Sequence, residues 1–357
     1  MATRATAEKW LSELTNIPTA SGLEDAVVEW VERWVGRRDD LSIDEDSGGN
    51  LYVTQRGPHH KPPVLAVAHM DHPAFVVTDA DGSFEFRGGV DAVYFENARV
   101  SVVSRLGGPT GQVMSYHDGS STGRARFDGA VSPGDIAMWR FADARQVHGL
   151  FRGPACDDLA GAAAALAALD RARSRDDLGH FGVMLTRAEE VGLIGAIHAA
   201  KQQTIPDGAR LLSIETSREL PTARIGAGPI IRIGDRSTVF DREMSNRISQ
   251  AVDAAGIPHQ RKLMDGGGCE ATAFGAYGYR ATGLCLALGN WHNRGNLAAV
   301  ERGDATAAVP MLEEISIDDF HGLVDLLLIA ALAIDEDDGI VDRLDRIYES
   351  NRRYLPR

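Results

Sequence analysis

The sequence predicts an α/β fold, a mostly parallel sheet with helices on both faces, interrupted by a small all-β insertion. Three observations predict it. Apolar runs of strand length alternate with helical segments through the second half of the chain. From about residue 75 to residue 149 the texture changes to short β-type runs between Gly- and Pro-rich turns. The length of 357 residues allows two domains or one large domain carrying an insertion. The expected division is therefore 1–74 and 150–357 as two parts of one α/β domain, with 75–149 as the inserted β domain.

Taken in order, Ser21-Gly22-Leu23-Glu24 reads as a capping box. Val27, Val31, Trp34 and Val35 follow at i, i+4, i+7 and i+8, the apolar stripe of an amphipathic helix that begins the domain. After the turn-rich segment 46–50 come strands over 51–54 and 64–68, the second nearly all apolar and hence buried. The insertion shows β-type runs at 75–78, 98–104, 111–114 and 136–141, separated by Asp81-Gly82, Gly88-Gly89, Gly107-Gly108-Pro109 and Pro133-Gly134-Asp135. Beyond it the reading is a helix over 157–173, a strand over 181–186, a helix over 192–202, and strands over 211–214 and 230–233. A helix over 242–255, an extended run over 260–264, a helix over 270–277 and a strand over 281–288 come next. A long helix over 317–334, an acidic linker and a polar C-terminal helix close the chain.

Composition excludes several classes of function. A formal net charge of −14 opposes binding to nucleic acid phosphates or anionic lipid. The longest apolar stretches, 161–169 and 326–334, fall far short of the roughly 20 residues that cross a bilayer, so no membrane span is expected. Met1-Ala2-Thr3-Arg4-Ala5 runs into polar Glu8 and Lys9 without the apolar core of a secretory signal. Three cysteines, Cys156, Cys269 and Cys285, include no close pair, which argues against a disulfide framework or a thiolate zinc site. A cytoplasmic location is expected.

In an open α/β sheet, ligands bind beyond the carboxyl ends of the strands, so the polar residues directly after each apolar strand are the candidates. His69 and Asp71 follow 64–68, Glu189 and Glu190 follow 181–186, Glu215 follows 211–214, and His292 follows 281–288. Asp157 and Asp158 open the Ala-rich helix. Each piece has an ordinary reading by itself: a loop histidine, a solvated acidic pair, an N-cap favoured by the helix dipole. Their common position is what points to chemistry. Adjacent ionised carboxylates in one cleft repel unless cations compensate, and two histidines among carboxylates form the ligand set of a two-metal hydrolytic site. The remaining histidines read as solvated or capping, with His72 left between a pocket residue and a supporting one. Cys156 reads as a small buried residue rather than a nucleophile.

These segments resemble the M42 family of dinuclear metal-dependent aminopeptidases, within the clan that also includes the M28 and M20 peptidases. The matching pieces are Ile17-Pro18-Thr19-Ala20-Ser21-Gly22-Leu23-Glu24, Ala68-His69-Met70-Asp71-His72-Pro73, Asp157-Asp158-Leu159-Ala160-Gly161, Ala188-Glu189-Glu190-Val191-Gly192-Leu193-Ile194-Gly195-Ala196, Ile214-Glu215-Thr216 and Trp291-His292-Asn293. The resemblance implies that Asp157 bridges two divalent ions, zinc first with cobalt or manganese as alternatives. His69 and Glu215 would complete one site, Glu190 and His292 the other. Asp71 would orient His69, and Glu189 would be the general base that takes a proton from the bridging water. Peptides with a free N-terminus are the implied substrates, and the β insertion sits where the family carries its accessory domain, which implies a homo-oligomer. The sequence departs from the family pattern at Leu159, where Arg is common, at Glu215, where Asp is usual, and at Cys269-Glu270 in a segment resembling Gly-Gly-Thr-Asp-Ala. An M20-type deacylase or carboxypeptidase would use the same ligands, although its insertion usually follows the Glu-Glu pair. A non-catalytic scaffold has no need of a buried carboxylate pair.

Overall fold

The computed structural model describes residues 1–102, 108–141, 144–264, 266–336 and 339–355. Among the described residues, eight strands form one sheet in the order Leu41–Glu45, Leu51–Gln55, Phe181–Thr186, Val64–His69, Arg210–Arg218, Arg280–Leu288, Ile230–Asp235 and Gln260–Met264. The central four run parallel. Leu41–Glu45, Leu51–Gln55 and Ile230–Asp235 bring antiparallel pairings, so the sheet is mixed. Hydropathy marks a strand as buried but carries no sign of its direction.

The period-two alternation of a strand divides the core in two. Val64, Ala66 and Ala68 face one apolar layer, and Leu65 and Val67 face the other. The first layer holds the helices Arg4–Thr15, Leu159–Ala172 and Ile317–Ala333. Eight alanines and a glycine in Leu159–Ala172 bring its backbone close to the sheet, and nearly every residue of this helix is buried. The second layer is thinner, built from Ile194–Gln202 and Glu270–Ala276. No helix among the described residues is long and apolar enough to cross a membrane.

The expected first helix exists as Asp25–Val35, and all four residues of its stripe are buried, but it does not begin the chain. Arg4–Thr15 precedes it, capped by the Thr3 hydroxyl, which accepts from Thr6 N. Nor do Ser21 and Glu24 form a capping box. Glu24 makes no side-chain cap, and both side chains reach to other segments instead.

Strands Ala74–Val77, Ser83–Arg87, Arg99–Val102, Thr110–His117, Thr122–Phe127 and Ile136–Trp139 close into a barrel. Of the expected run 98–104 and the turn at Gly107, residues 103–107 lie outside the described residues. Aromatic rings fill the barrel, as a small closed sheet requires. The Phe75 ring meets Trp139 edge-on at 4.7 Å and Phe84 and Phe86 at 4.9 Å.

Candidate metal centre

The expected site residues come from four places at the carboxyl end of the central strands and from the start of an Ala-rich helix. His69 ends Val64–His69. Glu215 was expected just after its strand but lies inside it, because Arg210–Arg218 continues in register with Arg280–Leu288. The pairing of Ser213 with Val67 sets Glu215, two residues on, beside His69. Glu189 and Glu190 occupy the loop after Phe181–Thr186, His292 the short turn Trp291–Asn293, and Asp157 the approach to Leu159–Ala172. The peptide between Asp157 and Asp158 is cis.

The two histidines are arranged alike around Asp157. Nδ1 of His69 lies 3.1 Å from the Asp71 carbonyl oxygen, and its Nε2 lies 3.4 Å from Asp157 Oδ1. Nδ1 of His292 lies 2.7 Å from the Gly89 carbonyl oxygen, and its Nε2 lies 3.5 Å from Asp157 Oδ2 and 3.3 Å from Glu190 Oε2. A carbonyl can only accept, so each Nδ1 donates, and each Nε2 of a neutral ring turns a lone pair toward carboxylate oxygens. Acceptors facing acceptors need a proton or a cation between them. Ligand atoms of His69, Asp157 and Glu190 lie within 4.8 Å of one another. Glu215 and Glu189 line the same cavity of about 330 Å³ as Asp157, Glu190 and His292.

The donor atoms also fit a cation by what they lack. His69 Nε2, Asp157 Oδ1, Glu190 Oε1 and Glu215 Oε2 are buried without a hydrogen-bond partner, which is costly for groups of this polarity. In the protein alone, burial pushes Glu189 up to about 8, with Asp71 and Glu270 adding to it against the pull of His69. Burial likewise lifts Glu190 and Glu215 well above the carboxylate range, and Asp157 lifts both further. Burial works against charge on His69, yet Asp157 and Asp71 hold its pKa well above the imidazole range. Oxygen and imidazole donors without thiolate suit a divalent ion such as zinc, cobalt or manganese.

Neighbouring side chains fix the loop of the glutamate pair. Asp71 accepts from Glu189 N at 3.0 Å, Glu190 N at 3.1 Å and the Ser21 hydroxyl at 2.6 Å, with Oδ1 3.4 Å from His69 Nδ1. It therefore touches both His69 and the backbone of the pair. Glu24, placed in a capping box by its sequence pattern, accepts from Ala188 N at 3.0 Å and from Arg187 at 3.2 Å. Gly195 has to be glycine: a Cβ there would lie 2.4 Å from Arg187 O and 2.6 Å from Asn50 Oδ1. His72 supports the site. Its Nδ1 lies 2.6 Å from Asp157 O and its Nε2 3.1 Å from Asn293 Oδ1, and burial pushes its pKa down to about 4.

Two residues were missed from sequence. Arg232 is fully buried at the cavity wall, where it donates to Ser217 Oγ at 2.9 Å and to Gly267 O at 3.2 Å, while its Nε has no partner. Glu313 is fully buried and bonded to both the Asp157 and His292 backbones. An Arg within a strand and a Glu313-Glu314 pair both read as surface residues, and no local signal marks either.

The model of the family described as M42 glutamyl aminopeptidase matches residues 121–309, more than half of the chain. The chain belongs to that family. This M42 peptidase is 27% identical over 285 residues to an aminopeptidase, by provisional description, of Acetivibrio thermocellus, a match spanning 73% of this chain and 83% of that one. Its fold is shared with the TET1 peptidase of Pyrococcus horikoshii at a TM-score of 0.73 and 23% identity, covering 92% of this chain and 99% of that one. An aminopeptidase of Desulfurococcus kamchatkensis superposes equally well, at 0.73 and 22% identity, over 95% and 98% of the two chains. At such identities the structural likeness speaks for the fold of the M42 peptidase.

Proposed function

We propose that this M42 peptidase removes N-terminal residues from peptides with two divalent ions held by His69, Asp157, Glu190, Glu215 and His292. The carrying observation is that the two oxygens of Asp157 face the Nε2 atoms of different histidines at 3.4 and 3.5 Å, as a bridging carboxylate needs. His69 and Glu215 complete one site, Glu190 and His292 the other. Zinc is the proposed ion, with cobalt or manganese as alternatives. When bound, the ions polarise the scissile carbonyl and acidify the attacking water.

Glu189 is the general base. It takes a proton from the attacking water and delivers it to the leaving amine, and its position in a half-buried loop, tied at the backbone to Asp71, keeps the carboxylate aimed at the cleft. Asp71 orients His69 and holds the pair together. The free α-ammonium of a substrate is attracted to the surplus of carboxylates, which sets the direction of cleavage. Arg232, a buried cation at the cavity wall, favours an acidic N-terminal side chain, in keeping with the glutamyl specificity in the family's description.

The division into 1–74 and 150–357 as catalytic parts and 75–149 as an inserted barrel that serves self-association belongs to the same proposal. The P. horikoshii TET1 peptidase can assemble into a tetrahedron or a large octahedral shell, and a homo-oligomer is proposed here. A cytoplasmic setting agrees with three cysteines that are all free and buried. The test is mass-spectrometric cleavage of a mixed peptide pool, free and N-acetylated, by protein loaded with zinc or cobalt. Stepwise loss of N-terminal residues from free peptides only is expected. Deacetylation or C-terminal trimming would assign the site to an amidohydrolase of another kind.

A further inference from the structure

Glu313 has no part in the chemistry described above, yet it is buried with 0% exposure beside a group of carboxylates. Placing one more carboxylate there is costly unless hydrogen bonds compensate. They do, and all come from backbone. Oε2 accepts from Cys156 N at 2.7 Å and Asp157 N at 3.0 Å, and Oε1 accepts from His292 N at 2.8 Å. Both oxygens accept, so a single side chain spans the two segments.

The residues so joined are far apart in sequence and neither is held by regular structure. Asp157 lies ahead of the helix Leu159–Ala172. His292 sits in a three-residue turn with φ of 56°, followed by Asn293 at 60°, a left-handed pair of non-glycine residues that persists only with support from outside. Glu313 is placed to give that support. It starts the strand Glu313–Ser316, which pairs antiparallel with Leu150–Gly153, so the strand that carries Glu313 is tied to the chain that leads into Asp157. Glu314 N and O in turn bond across to Gly289, just ahead of the His292 turn. Asn293 adds a second tie through its side-chain amide, which donates to Pro154 O at 3.0 Å and Met311 O at 3.2 Å.

We infer that Glu313 is a positioning residue: one carboxylate, fastened to the backbones of Asp157 and His292, sets the separation at which their side chains hold metal. This rests on the metal reading given under Proposed function. Gln has the same shape but a single acceptor oxygen, and its NH2 would confront at least one of the three N–H groups. Asp keeps both acceptor oxygens but withdraws them by one methylene, too far to reach both segments.

The test compares wild type, Glu313→Gln and Glu313→Asp by zinc titration against a chromophoric chelator and by the visible spectrum of the cobalt-loaded proteins. Wild type is expected to bind two equivalents. Glu313→Gln should bind the weaker equivalent ~10- to 100-fold less tightly, the range for residues that support metal ligands, with an altered cobalt spectrum. Its kcat should recover in excess metal while KM stays near wild type, which a residue that merely stabilised the fold would not produce. Should Glu313→Gln fail to fold, Glu313→Asp carries the test with the same expected direction. Unchanged metal affinities and spectrum in a folded variant would overturn the role of Glu313. Fewer than two equivalents in wild type would instead overturn the metal reading on which it rests.

Discussion

Glu189→Gln removes one proton acceptor and almost nothing else. The side chains are isosteric, the Glu189 backbone N–H still reaches Asp71 Oδ1 at 3.0 Å, and Glu189 belongs to neither proposed ligand pair. Its Oε2 lies 4.0 Å from His69 Nε2, close to the centre. General-base catalysis contributes about 10²- to 10⁴-fold, so kcat is expected to fall by that factor, about 2.7–5.5 kcal/mol of transition-state stabilisation. KM and metal content should stay near wild type. In the protein alone burial pushes Glu189 up to about 8; a base must be unprotonated to act, and bound cations favour its ionised form, so the acid limb of the wild-type kcat/KM profile belongs below that value and should disappear in the variant. The assay is hydrolysis of fluorogenic peptides with a free N-terminus across pH, with metal content measured on the same samples. A kcat within about threefold of wild type at equal metal content would refute the general-base role of Glu189.

Two further outcomes follow from named contacts. Arg232→Met should lower the ratio of kcat/KM for N-terminal Glu over N-terminal Leu by ~10- to 100-fold, the worth of one charged hydrogen bond; an unchanged ratio would remove Arg232 from substrate selection. Glu8 is held below the carboxylate range first by His321, whose Nε2 lies 2.8 Å away, and then by Gln146. A depressed carboxyl stabilises the fold above its unfolded pKa of about 4.3 and loses that effect as pH falls through its folded value. The half-exposed setting limits it to under ~1 kcal/mol. The Tm gap between wild type and Glu8→Gln should therefore close as pH drops from about 7 to about 3, and a constant gap would contradict this origin.

Some of the candidate ligands were legible because they stand at or near the ends of apolar strands. His69 and the Glu189-Glu190 pair stand where the unbroken apolar runs Val64–His69 and Phe181–Thr186 give out. Strand direction was not legible, since Leu51–Gln55 and Ile230–Asp235 have the composition of parallel strands and run the other way. Edge strand Leu41–Glu45 was hidden by its exposed, acidic end. The helix Arg4–Thr15 was passed over although Ala7, Trp10, Leu11 and Leu14 repeat at helical spacing and are buried. Ser21 and Glu24 satisfied a local rule for capping, and long-range partners, Asp71 and the Ala188 backbone, outweighed it. Arg232 and Glu313 depend wholly on such distant partners, which one sequence does not display.

The central claim is that Asp157 stands between two metal ions. Crystals of zinc-loaded protein, measured at the zinc absorption edge, test it most directly. The account predicts two anomalous peaks per chain, about 3.5–4 Å apart, one on each side of the Asp157 carboxylate, with His69 and Glu215 at one and Glu190 and His292 at the other. A single peak, or a pair that does not share Asp157, would contradict it.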